Sequence, residues 1–136
     1  YILIIYMIDK QIILLVSSIL MTGMFFSSGI SKLKGFTDTC KGLMGKPIFN
    51  SLPKIFSKLA IVIVILLEIV GPILIVMGVY NNNLKELAAY SSLALFAFTF
   101  LASLLYHYPP KGVEYYFFLK NITIMGGLLA LYLNFI

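Results

Sequence analysis

Arginine is missing from this chain altogether, and its ten basic residues are all lysine. Nucleic-acid readers rely on arginine forks to grip phosphate and guanine, so a net charge of +5 built from lysine alone argues against that class of partner. Acids are scarcer still, at five. A single cysteine, Cys40, excludes an intramolecular disulfide and a CxxC redox pair, and in a segment facing lipid headgroups it reads as a small apolar filler and not as a reactive thiol. A single histidine, His107, with scattered acids, offers no metal set and at most one axial haem ligand by that route. No phosphate-binding glycine loop and no nucleophile–base pair is recognisable.

What fills the chain is apolar. Of 136 residues, 61% are hydrophobic and 11% charged, where soluble domains sit near a half and a quarter. The mean hydropathy is +1.03. This length suits one domain, and the composition is that of a membrane protein.

A spanning helix needs about 20 mostly apolar residues. Four stretches qualify: Ile12 to Ser31, Ala60 to Tyr80, Leu87 to Tyr106 and Tyr115 to Ile136. The first and third carry no charge, the second only Glu68 and the fourth only Lys120. In hydrocarbon the backbone must satisfy its own hydrogen bonds, so the expected fold is an all-α membrane bundle of four helices. The first stretch has no basic flank before it and no A-x-A site after it, so it is expected to remain as a transmembrane helix.

The connections differ in kind. Asn81-Asn82-Asn83 is a polar turn that makes spans two and three a hairpin, and Tyr108-Pro109-Pro110-Lys111-Gly112 ends span three. Between Lys32 and Leu59, Phe36, Cys40, Leu43 and Met44 form an apolar stripe at helical spacing, and after Pro47 so do Ile48, Leu52, Ile55, Phe56 and Leu59. Lys41, Lys54 and Lys58 lie off those stripes, which predicts one or two amphipathic helices in the membrane interface. Lys32, Lys34, Lys41, Lys46, Lys54, Lys58, Lys111 and Lys120 lie toward the odd-numbered connections, against Lys10 and Lys85 on the side of the termini. The positive-inside rule then puts those connections in the cytoplasm or matrix.

Glu68, Lys120 and His107, with Lys32 closing span one and Asn121 beside Lys120, are the candidate site. A carboxylate at mid-bilayer costs about 3 kcal/mol on insertion scales, so Glu68 is expected to face inward and be paired or neutral. At about 1.5 Å per residue Glu68 lies roughly 13 Å, and Lys120 roughly 8 Å, below the basic face. Glu68 with Lys120 is the favoured pair, with Lys32 or His107 second. Thr99 and Ser103 precede His107 at four-residue steps, giving span three a polar stripe. Small residues expected at helix contacts are Gly23, Ser27, Gly29, Gly71, Gly126 and Gly127, with Pro72 opening span two locally. The constellation reads equally as a bundle-fixing ion pair or as a pocket at the basic face, roofed by the amphipathic connection, for a headgroup, quinone, small anion or bound phospholipid.

At these residues the sequence resembles the DoxX family of small four-helix membrane proteins. The matching segments are Gly23-x-x-Phe26-x-x-Gly29-x-x-Lys32-Leu33, Gly42-Leu-Met-Gly45-Lys-Pro47, Glu68-Ile-Val-Gly71-Pro72 through Gly78, His107, and Leu119-Lys120-Asn121 through Gly126-Gly127. An arginine often found near that family's first span is absent; Lys10 stands nearest. The resemblance implies a membrane subunit of redox assemblies, such as the membrane component of thiosulfate:quinone oxidoreductase, while distant relatives act as chaperones or cargo receptors. With no cysteine pair, sulfur chemistry by this chain alone is not expected. The leading expectation is an accessory or anchor subunit of a larger quinone-linked, respiratory-type membrane complex. A quinone-reactive subunit and a membrane-protein chaperone are the alternatives. The expected partners are membrane lipids and that complex, in a mitochondrial inner or bacterial cytoplasmic membrane.

Overall fold

The computed structural model describes residues 1–108 and 110–136. Among these residues five α-helices follow one another: α1 (Ile2–Lys34), α2 (Phe36–Met44), α3 (Lys54–Gly78), α4 (Lys85–Tyr106) and α5 (Val113–Phe135). Four of them, all except α2, are long and apolar enough to cross a membrane. The expected spans are therefore present, with shifted ends. α1 begins ten residues before Ile12 because nothing in the apolar run Tyr1–Ile8 breaks a helix. α3 begins at Lys54, just after Pro53, and not at Ala60.

That early start corrects part of the interfacial reading. α2 is the amphipathic helix expected: it buries Cys40 and Leu43 and leaves Lys41 exposed. The second stripe does not form a separate helix. Ile55, Phe56 and Leu59 belong to the first turns of α3 and face outward, while Ser57 and Ile61 face the bundle. The cause is the solvent, because in hydrocarbon an apolar stripe is as comfortable against lipid as against protein. Between α2 and α3 the chain reverses through Ile48, whose φ of 76° is rare for a β-branched residue.

α1 packs on α3, α3 on α4 and α4 on α5, while α1 and α5 meet at few points. The interior divides into two apolar clusters. One, built on Phe25, Ile75, Leu95, Leu128 and Phe135, fills the half nearer the termini. The other, built on Cys40 and Leu43 of α2 and Ile61 and Ile65 of α3, lies between those helices at the lysine-rich end. Asn81–Leu84 closes the α3–α4 hairpin, with the Asn81 side chain accepting from the Asn83 amide at 3.0 Å. The Pro-Pro stop after α4 falls partly on Pro109, outside the described residues; α4 ends at Tyr106 before it and α5 starts at Val113 after it.

Candidate functional site

On α1 the buried positions Ser18, Thr22, Phe25 and Gly29 form a stripe at spacings of four and three. Continued by one turn, that stripe carries Ser28 and Lys32 toward α3. Gly29 makes the approach possible: a Cβ there would lie 2.8 Å from Ile69 Cγ1 and 3.0 Å from Glu68 Cβ. With no side chain in the way, Lys32 Nζ reaches both carboxylate oxygens of Glu68, at 2.9 Å to Oε1 and 2.8 Å to Oε2. Ser28 Oγ donates to Glu68 Oε1 at 3.3 Å and accepts from Lys32 Nζ at 2.5 Å. Glu68 is 2% exposed, whereas the Lys32 side chain retains 25% of its accessible area, so the ammonium snorkels from the pair toward the basic end. Pro72, four residues on, removes the amide that would bond the Glu68 carbonyl, yet α3 continues through it.

The expected Glu68–Lys120 pair does not form. Lys120 is exposed on α5, its ammonium 5.5 Å from the centroid of the Phe117 ring. The reason is packing order: α5 lies against α4, and α1 lies against α3, so the lysine that meets Glu68 comes from α1. Lys32, the second choice, is the partner.

The other candidates gather at a separate node between α4 and α5. His107 stacks on Phe117, with centroids 5.4 Å apart, and its Nδ1 is paired with the Glu114 carboxylate. Deeper in, Asn121 Nδ2 donates to Ser103 Oγ at 2.9 Å. Ser103 and Thr99 in turn donate to the carbonyls of Thr99 and Leu95, at 2.7 and 2.8 Å. The polar stripe of span three thus exists and faces inward. Above both nodes, Lys46 lies 4.6 Å from the centroid of the Tyr106 ring, tying the connection to the end of α4.

The proposed single constellation is therefore two. Glu68 with Lys32 ties α1 to α3, His107 and Asn121 belong to the α4–α5 seam, and Lys120 stands exposed on α5 beside Phe117. Of the small residues, Gly29, Gly71 and Pro72 are buried, and Gly127 lies against Met21. Gly23, Ser27 and Gly126 face outward, off the buried stripes of their helices. Sequence reasoning missed Ser28, Glu114 and Phe117. Ser28 was accessible in principle, one turn before Lys32 on the same face, and Glu114 and Phe117 only once the α4–α5 turn is closed. Among the described residues no three His, Cys, Asp or Glu side chains cluster as a metal set.

A family model described as DoxX matches residues 13–108, which takes in span one, the connection, the Lys32–Glu68 pair and span three. The chain belongs to the DoxX family. A second comparison agrees with this membership: a protein named inner membrane protein YqjF, from Escherichia coli strain K12, is 35% identical over 120 residues. The match covers 86% of this chain and 79% of that relative. No solved structure matches the chain. As a DoxX-family chain with four membrane-length helices, it is an integral membrane protein.

Proposed function

We propose that this DoxX-family chain is a non-catalytic accessory and anchor subunit of a larger, quinone-linked redox complex in a bacterial cytoplasmic membrane. One observation carries the reading: the buried carboxylate of Glu68 spends both its oxygens on Lys32 and Ser28, so it binds helix to helix. A group committed in this way serves as a rivet. The family resemblance supplies the redox setting, and the name of the Escherichia coli relative supports the cytoplasmic membrane. With eight of the ten lysines toward the odd-numbered connections, the basic end faces the cytoplasm in this proposal.

The test is isolation of a tagged chain from its native membrane in mild detergent. Larger partners in fixed stoichiometry, at least one of them carrying a redox cofactor, are expected; a chain that elutes alone sinks the reading. Glu68→Gln then separates the alternatives. It is expected to lower the yield of assembled complex and leave turnover per complex unchanged. Lost turnover in fully assembled complex would favour the quinone-reactive subunit instead. A drop in another membrane protein's abundance, without co-purification, would favour the chaperone.

A further inference from the structure

The seam between α1 and α5 holds a lateral cleft of about 330 Å³, remote from the Lys32–Glu68 pair. Its lining runs from Lys10 through Ile13, Leu14 and Ser17 to Met21 on α1, and from Asn134 back to Gly127 on α5. Three features set its character. Its walls are mostly apolar, and its cationic group, Lys10, stands at one end; Asp9 is not part of the lining. From Lys10 to Met21 the cleft spans eleven helical residues, about 16 Å, which is close to half of a hydrocarbon core of about 30 Å. Its inner end is closed by Met21, which lies so tightly over Gly127 that a Cβ there would fall 2.0 Å from Met21 Cε.

We infer that this cleft is a binding groove for one acyl chain of an anionic phospholipid, with the headgroup phosphate beside Lys10. A groove one leaflet deep, open sideways to the bilayer, is shaped for a lipid tail that enters from its own leaflet. Lys10 and Asn134 lie together at the mouth, where Asp9-Lys10-Gln11 marks the passage from apolar span to interface. The ammonium supplies the attraction to a negative headgroup that a zwitterionic lipid would not satisfy as well. The groove is distinct from any site at the basic end, and it does not depend on the subunit role proposed above.

The chain in phosphatidylcholine vesicles, with phosphatidylglycerol carrying a photoreactive diazirine midway along one tail, provides the test. Irradiation followed by peptide mapping is expected to place adducts on residues 10–21 and 127–134. Excess unlabelled phosphatidylglycerol should lower them several-fold, and phosphatidylcholine should not. Ala130→Leu, which fills the groove from α5, should lose most of the labelling; Ser17→Leu does the same from α1 and serves if the first variant misfolds. Lys10→Gln should keep the adducts and lose the headgroup preference. Adducts spread evenly over all lipid-facing surfaces would overturn the inference, as would equal competition by the two lipids. Crosslinks between two copies through this seam, or stronger competition by an isoprenoid quinone, would assign the groove to a different occupant and overturn it as well.

Discussion

Glu68 is 2% exposed with Lys32 in place, and removing Lys32 would leave its carboxylate with Ser28 as the remaining hydrogen-bond partner described. Breaking a buried pair from one side costs about 3–5 kcal/mol, because the surviving charge is stranded. Lys32→Met is therefore expected to destabilise the chain by about that amount, read from chemical unfolding in mixed micelles. The double variant Lys32→Met with Glu68→Leu should recover most of the loss, and a failure to recover would mean that the pair does more than hold helices. Gly29 is held to the same spot by contact: Gly29→Ala puts a Cβ 2.8 Å from Ile69 Cγ1 and should cost about 1–3 kcal/mol, typical of overpacking. The partner of Glu68 was only half legible in the sequence. Depth along a helix can be counted at a fixed rise per residue, and it placed Glu68 and Lys120 at neighbouring heights. Which helix stands beside which is not written in that count, so the lysine one helix over was ranked second.

At the scale of elements, apolar length alone located all four spans, because lipid imposes helix on any chain that crosses it. Amphipathic spacing was less reliable. It identified α2, whose stripe meets protein, but the stripe through Ile55, Phe56 and Leu59 meets the surroundings, since periodicity marks two faces without saying what covers each. Cys40 lies on that α2 stripe, 3% exposed on the face that packs against α3. Its thiol is expected to resist a membrane-permeant maleimide in the folded chain and to react fully in SDS. Rapid labelling in intact membranes would show that α2 lifts from α3. The His107–Glu114 pair escaped the sequence reading because both residues flank a turn whose closure brings them together.

For the molecule as a whole, the lysine bias predicts orientation. In a Cys40→Ala background, Lys85→Cys should react with an impermeant maleimide added to intact spheroplasts, and Lys111→Cys only after the membrane is opened; the reverse pattern would invert the bundle. The order of helix packing has a mechanical consequence. α1 packs on α3 from Ser18 to Lys32 and meets α5 at few points. From Ser18, the first of its buried positions, to Lys10 is about 12 Å of unbroken helix, so a slight tilt of α1 on α3 is carried to the far tip. α1 has 33 residues, about 50 Å, well beyond a hydrocarbon core of about 30 Å, and a long helix meets such mismatch by tilting. Bilayer thickness then becomes a setting for the width of the α1–α5 seam. Spin labels at Lys10→Cys and Asn134→Cys should report a distance that changes steadily across lipids of increasing chain length, while a pair spanning the rivet stays fixed.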